Sequence, residues 1–178
     1  MKYLLCAMFL LISASAFAQQ KPSPYVGQEK REIKALSDED IRGYLNGQGM
    51  ALARAGELNH YPGPMHVLEF AGELKLTDGQ KRRTEDIRNI MLNDAIPIGK
   101  RIIEKERELD QLFASGKIDN ANLDSTLGEI GRLQGELRAA HLRAHLEQKR
   151  ILTPDQVAKY DELRGYGKAA AHDEHSGH

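Results

Sequence analysis

The stretch Leu76-Thr77-Asp78-Gly79-Gln80 recurs as Leu152-Thr153-Pro154-Asp155-Gln156, and the two copies mark where helices of the fold begin. In each copy the threonine can cap a helix, and the glutamine three residues later can bond back to the backbone N–H of the threonine. Pro154 suits the first helical position, where its missing N–H costs nothing. The sequence therefore predicts two helix starts with four capping residues, Thr77, Gln80, Thr153 and Gln156.

Two long amphipathic helices are predicted between the motifs. The first runs from residue 77 to about residue 114, since its apolar residues recur at spacings of three and four, and Pro97 should bend it without ending it. The second, capped by Asp119 or Asn120, runs to about residue 150, and the short link favours an antiparallel hairpin. The apolar positions are Ile87, Ile90, Met91, Ala95, Ile98, Ile102, Leu109, Leu112 and Phe113, then Leu123, Leu127, Ile130, Leu133 and Leu137.

Shorter helices are predicted on either side of this hairpin. Ser37 caps a first helix that is expected to extend to about Leu58, although four glycines weaken it. The run His60-Tyr61-Pro62-Gly63-Pro64 breaks that helix, and a short helix follows to about Lys75. After the second motif, a last helix runs to Gly165. The weakening glycines are Gly43, Gly47, Gly49 and Gly56.

The predicted fold class is all-α, a long antiparallel helical hairpin with short flanking helices. No run of useful length alternates in the way a β-strand does. Two helices alone cannot cover both sides of their apolar stripes, so either the short helices or a second subunit must cover them, and we expect a homodimer. The helical domain is predicted over residues 37–166, between a flexible segment at 19–36 and a histidine-rich disordered tail at 167–178.

Residues 1–18 have the pattern of a cleavable signal peptide. Lys2 precedes an apolar run that is too short to anchor in a membrane, and Ala16 and Ala18 provide the small residues for cleavage after Ala18. We therefore expect a periplasmic protein with no membrane insertion after cleavage. The single cysteine, Cys6, leaves with the signal, which excludes disulfides and thiolate chemistry. The 26 acidic residues outnumber the 25 basic ones even before Lys2 is lost, so nucleic-acid binding is not expected.

The strongest candidate for chemistry is the pair His141 and His145. Histidines four residues apart lie on one face of a helix, where two imidazoles can reach one metal ion, and the periodicity turns this face inward. The alternative is a pair of polar residues that bond to partners across the hairpin. Glu136, Glu147 and His66 are conceivable further ligands.

Two other groups of histidines have weaker patterns. His60 and His66 flank the Pro-Gly-Pro turn with Met65 nearby, and they serve either as turn residues or as metal ligands. The tail carries three more histidines and two carboxylates, which can chelate zinc, nickel or copper loosely or merely keep the tail solvated. The tail histidines are His172, His175 and His178.

The remaining motifs indicate little chemistry. Gly128, Gly131 and Gly135 lie close together on the second long helix, where they can admit another helix or form a shallow apolar groove. Lys81-Arg82-Arg83 is interpreted as a solvated basic turn. The chain has no nucleophile elbow, zinc-protease helix, haem-binding Cys-x-x-Cys-His or phosphate loop, so the sequence predicts no enzyme and no required cofactor.

With its signal peptide, helical pattern and paired motifs, the chain resembles the Spy/CpxP-like periplasmic LTxxQ family over about residues 37–166. That group includes chaperone-like stress proteins and heavy-metal resistance or sensor proteins. The resemblance implies a helical dimer with no catalytic centre, whose concave surface holds unfolded clients. The metal-sensing branch carries histidine pairs spaced as His141 and His145 are, but this chain lacks a second such pair in its first helix.

Two functional hypotheses follow from these patterns. The first is a periplasmic stress protein that binds non-native protein clients on a helical dimer, with metal as a modulator. The second is a heavy-metal-binding sensor or resistance protein, with His141 and His145 as ligands and the tail as an accessory chelator. Partnership with a membrane sensor is a third interpretation, and it leaves no distinct mark in the sequence.

Overall fold

The computed structural model describes residues 22–166, which form helices joined by turns. No strand occurs within this range, which confirms the all-α fold class. The predicted signal peptide and the tail at 167–178 lie outside the described residues. In chain order the helices are α1 (Asp38–Leu45), α2 (Arg54–Glu57), α3 (Pro64–Glu69), α4 (Asp78–Ala114), α5 (Asn120–Ile151) and α6 (Pro154–Arg164), with a 3-10 turn at Gln28–Lys30.

Across the described part of the chain, we find no helix with both the length and the apolar character that a membrane crossing requires.

Helices α4 and α5 form the predicted antiparallel hairpin. Arg101 in the middle of α4 bonds Glu129 of α5, whereas Gln80 at the start of α4 bonds the carbonyl of Ile151 at the end of α5. The two helices therefore run in opposite directions. Pro97 lies inside α4 without ending it, as predicted. The apolar residues packed between the helices are Ala95, Ile102, Leu133 and Leu137.

The two Leu-Thr-x-x-Gln motifs cap α4 and α6, as predicted. Thr77 accepts from the N–H of Gln80, and Thr153 accepts from the N–H of Gln156, each over 3.2 Å. The structure adds a contact that the sequence did not predict. The side-chain amide of Gln80 donates to Oε1 of Gln156 over 2.8 Å, and the amide of Gln156 donates back over 3.2 Å. These four residues form what we call the motif junction.

An apolar cluster lies beside the motif junction. Leu76 and Leu152, which precede the two threonines, are buried in it together with Val67 of α3 and Tyr160 of α6. The ring of Phe70 meets that of Tyr160 edge-on, with the two centroids 6.3 Å apart. The cluster therefore holds α3 and α6 together at the point where the two motifs start their helices.

The segment before α1 packs against α4, which differs from the flexible segment predicted for residues 19–36. Ile33 is fully buried, and it forms a cluster with Leu36 and Ile103. Lys34 bonds Asp110 through its backbone N–H at 3.2 Å and through its ammonium at 3.3 Å. Two apolar residues among many charges have no helical period, so the local composition did not predict this docking.

The first helix is shorter than predicted. Ser37 caps it through a complete capping box, but α1 ends at Leu45, and residues 46–53 form an irregular loop before α2. Gly47 has a φ of +60°, a left-handed conformation that ends a helix and that glycine adopts without strain. The predicted continuation of this helix to Leu58 is therefore wrong.

Three residues of the predicted apolar stripes face solvent. Ile90 is 63% exposed, Phe113 is 58% exposed and Leu127 is 47% exposed. The stripes are wider than the surface that the described neighbouring elements cover. The row of Gly128, Gly131 and Gly135 is also open, because no other described residue would lie within 4 Å of a Cβ built at these positions.

Candidate metal site

His141 lies on the inward face of α5, as the periodicity predicts. It is 3% exposed, and its Nε2 has no hydrogen-bond partner among residues 22–166. Burial lowers the pKa of His141 below its ordinary value of 6.5, and the nearby His145 lowers it further. The imidazole of His141 is therefore neutral at pH 7, which is the form that binds a metal ion.

His145, one turn further along α5, is fixed by a contact of its other ring nitrogen. Nδ1 lies 2.7 Å from the carbonyl oxygen of Tyr61, and because a carbonyl only accepts, this nitrogen donates. Contacts of this kind orient the ring of metal-binding histidines and leave Nε2 for the ion. The ring lies so close to Gly63 that a Cβ there would be 3.0 Å from Nε2. Gly63 thus leaves the space that His145 occupies.

Glu57 is a third polar group of the site, and the sequence reasoning missed it. Its Oε1 accepts from the hydroxyls of Tyr160 (2.7 Å) and Tyr166 (2.8 Å) and from Nε of Arg164 (3.0 Å). Its Oε2 is buried without a hydrogen bond from the described chain, 3.7 Å from Nδ1 of His145. Burial raises the pKa of this carboxyl, but the two tyrosine hydrogen bonds and the charge of Arg164 outweigh burial and lower the pKa overall. Glu57 is therefore ionised at pH 7.

One cavity brings these groups together. It has a volume of about 780 Å³ and lies between the loop at 46–53, α2, α3, α4 and the inward face of α5. Arg54, Arg88 and Arg164 contribute three cationic side chains to its wall. We call it the histidine cavity, and its three candidate ligands are Glu57, His141 and His145.

The conceivable further ligands are divided between the cavity and the outer surface. His66 lines the histidine cavity, and its Nδ1 lies 2.8 Å from Oε2 of Glu69. Glu136 and Glu147 are exposed outside it, and each pairs with an arginine of its own helix. The structure therefore brings only His66 to the same cavity as the predicted histidine pair.

His60, the fourth histidine of the described residues, does not line this cavity. His60 bonds Oδ2 of Asp161 over 2.7 Å and connects the Pro-Gly-Pro turn to α6. Its side chain is 63% exposed. The three tail histidines, His172, His175 and His178, lie outside the described residues.

The donor atoms of the histidine cavity suit a transition metal but are not a finished cluster. Within residues 22–166, no three His, Cys, Asp or Glu side chains stand close enough together to form a ready-made metal site. Two buried atoms that could bind a metal ion nevertheless have no hydrogen-bond partner in the described chain, Nε2 of His141 and Oε2 of Glu57. Imidazole and carboxylate are both established ligands of such ions.

A sequence model for one protein family matches this chain. The model describes heavy-metal resistance and matches residues 46–159, nearly two thirds of the chain. The chain belongs to the heavy-metal resistance family. This is the LTxxQ group of helical periplasmic proteins, so the resemblance carried by the paired motifs is confirmed. Searches of curated proteins and of solved structures found no match.

The part of the chain that matches the heavy-metal resistance family includes the residues of the candidate site. The matched range includes both motifs and all three candidate ligands of the histidine cavity. Members of the family are typically exported. The family is not known for enzymatic activity.

Proposed function

We propose that this heavy-metal resistance protein binds a transition-metal ion in the histidine cavity through His141, His145 and Glu57. The observation that carries the proposal is the buried Nε2 of His141, which has no partner in the described chain. A buried polar atom left without a hydrogen bond costs about 1–3 kcal/mol. A bound ion would remove that cost, because a neutral imidazole offers its lone pair to a metal.

The groups around His141 support the same function. The carbonyl of Tyr61 holds Nδ1 of His145, which leaves Nε2 of that ring for an ion. Three hydrogen bonds fix Oε1 of Glu57, so Oε2 can serve as a ligand and offset part of the charge of the ion. A bound ion would therefore join α5 to α2. It would also connect them to α6, because Tyr160 and Arg164 of α6 donate to Glu57.

Calorimetric titration with Zn(II), Ni(II) and Cu(II) tests the site. We expect His141→Ala/His145→Ala to bind its tightest ion at least roughly tenfold more weakly than the parent protein. His60→Ala is the matched control, since His60 is a histidine outside the cavity. To keep the tail from masking the site, every protein carries alanine at His172, His175 and His178.

The comparison between the two histidine variants decides the outcome. Equal affinity of His141→Ala/His145→Ala and His60→Ala would contradict the proposal. Glu57→Gln then measures the part played by the carboxylate, because glutamine keeps the shape and an acceptor oxygen but not the negative charge. We expect an intermediate loss of affinity for Glu57→Gln, and circular dichroism checks that each variant is folded.

We also propose that the protein acts in the periplasm. Members of the family are typically exported, and residues 1–18 have the signal-peptide pattern. N-terminal sequencing of protein from the periplasmic fraction should begin at Gln19, directly after Ala18. A protein that stays in the cytoplasmic fraction and begins at Met1 would contradict this location.

Binding of non-native proteins is a second candidate function, and exposed apolar side chains favour it. Ile90, Phe113, Leu127 and Leu146 are between 46% and 63% exposed on α4 and α5. Exposed apolar side chains of this size can make hydrophobic contacts with the apolar segments of a non-native protein. We expect the protein at stoichiometric concentration to reduce light scattering from a heat-denatured client. Unchanged scattering would contradict this second function.

A further inference from the structure

The histidine cavity also contains sulphur atoms that the proposed ligand set does not use. Residues 22–166 include three methionines, Met50, Met65 and Met91, and all three line this cavity. They come from three different elements, the loop at 46–53, α3 and α4. Three of the four histidines in the described range line the same cavity. Separate elements thus bring every described thioether to the cavity that holds the imidazoles.

These methionines do not serve as core packing. None of them belongs to the three apolar clusters that hold the described helices together. Met65 is 49% exposed, and Met50 and Met91 are partly exposed. A methionine that fills a gap in a core lies among apolar neighbours. The three methionines of residues 22–166 line a cavity instead.

Met50 occupies a backbone conformation that residues of its type rarely adopt. Its φ is +42° and that of Ala51 is +64°, both in the left-handed region that favours glycine. Strained positions of this kind concentrate at binding sites, where the surrounding structure maintains them. Gly43 of α1 leaves room beside the thioether, since a Cβ there would lie 2.6 Å from Sδ of Met50. Met50 thus combines a strained backbone, a side chain packed on Gly43 and a place in the cavity lining.

The chemistry of sulphur defines which ion such a cavity selects. Thioethers are soft ligands that bind Cu(I), and imidazole binds copper as well, whereas oxygen ligands suit harder ions. We propose that the histidine cavity takes Cu(I) through the thioethers of Met50, Met65 and Met91 together with the imidazole of His141. This inference rests on the proposed function for that imidazole, and it adds the class of ion and the sulphur ligands.

The test compares the parent protein with Met50→Leu/Met65→Leu/Met91→Leu under anaerobic conditions, both with alanine at the three tail histidines. Leucine keeps the apolar volume of methionine, so the fold should survive, and circular dichroism checks it. Competition with a chromogenic Cu(I) chelator gives the affinity, and Ag(I) is a second soft probe that needs no reductant. We expect Cu(I) and Ag(I) to bind at least roughly tenfold more weakly, while the affinity for Zn(II) stays within about twofold.

The possible outcomes separate the sulphur ligands from the imidazole ligands. Equal Cu(I) affinity in the parent and the methionine variant would overturn the inference and leave the proposed imidazole site standing. If the methionine variant loses Cu(I) affinity but His141→Ala/His145→Ala binds every ion as the parent does, the sulphurs are ligands and the proposed role of the histidines fails. If the triple variant does not fold, the three single Met→Leu variants replace it, and each should lose part of the Cu(I) affinity.

Discussion

The motif junction, at the starts of α4 and α6, and the histidine cavity, lined in part by α4 and α5, treat their polar groups in opposite ways. At the junction, the amides of Gln80 and Gln156 bond each other, and each also bonds a backbone carbonyl. At the cavity, Nε2 of His141 and Oε2 of Glu57 have no hydrogen-bond partner in the described chain. Completed bonds stabilise the fold and leave nothing for a ligand. Buried polar atoms without a hydrogen bond reduce stability and are available to bind a ligand.

Removal of a motif glutamine should break the junction and give the largest loss of stability. Gln156→Ala loses a helix cap and the two hydrogen bonds that its amide donates to partly buried oxygens of Leu74 and Gln80, so the free energy of unfolding should fall by about 2–3 kcal/mol. Urea denaturation measures this change. Gln134→Ala, at an exposed position of α5, is the control and should change the free energy by less than about 0.5 kcal/mol. Equal stability of the two variants would show that the junction does not stabilise the fold.

Tyr160→Phe should affect both regions, because Tyr160 packs beside the junction and its hydroxyl donates to Glu57 over 2.7 Å. Phenylalanine keeps the packed ring and removes the hydroxyl. Two other donors remain on the carboxylate, so we expect a loss of about 1–2 kcal/mol in the free energy of unfolding. Metal affinity should fall as well, since Glu57 is held less firmly. Tyr25→Phe, at a 71% exposed ring, is the control. A Tyr160→Phe protein that matches this control in stability and metal affinity would disprove the connection.

His141→Leu should not lower the free energy of unfolding, unlike a substitution at the motif junction. Leucine has a similar volume and no polar atom that needs a partner, so the free energy of unfolding should stay level or rise by up to about 1 kcal/mol. The same substitution should weaken metal binding, as measured by calorimetry. A loss of more than about 2 kcal/mol would instead show that the imidazole makes a stabilising bond.

The pH dependence of stability is the smallest of these effects, and it comes from groups of the histidine cavity, since the motif junction has no titratable side chain. The unfolded chain takes up a proton on His141 near pH 6.5, while burial lowers the pKa of His141 in the folded state. Stability should therefore be unaffected by this group above that pH and should fall as the pH drops from 7 toward 5. The lowered pKa of Glu57 has its effect in a separate window, below its ordinary value of 4.5. Thermal unfolding of wild type and His141→Leu between pH 5 and 7 measures the difference, and parallel curves would exclude a buried neutral imidazole.

The starts of the long helices and of α6 could be predicted because helix caps depend on residues close together in the sequence. The caps at Thr77, Asp119 and Thr153 depend on side chains three residues apart. Thr77 and Thr153 are the predicted caps, and Asp119 is one of the two residues predicted for the cap of α5. The bond between Gln80 and Gln156 joins residues 76 positions apart, and no local pattern specifies such a contact. The sequence therefore showed what each motif does at its own helix, but not that the two motifs meet.

The candidate site could be predicted only where it lies on a long helix. The period of α5 turned His141 inward, and the structure agrees. Glu57 lies on a helix of four residues, and Met50 lies in a turn with positive φ, so neither belongs to a periodic element. The docking of Ile33 likewise depends on the distant Ile103. Residues of this kind acquire their role from tertiary contacts alone.

Anomalous diffraction from crystals of the zinc-loaded protein tests most directly whether binding takes place in the histidine cavity. Data collected on both sides of the zinc absorption edge locate the ion without reference to any assumed ligand. We predict the strongest anomalous peak about 2.0–2.1 Å from Nε2 of His141, with His145 or Glu57 as a second ligand. Peaks found only at histidines outside the cavity, such as His60, would contradict this prediction.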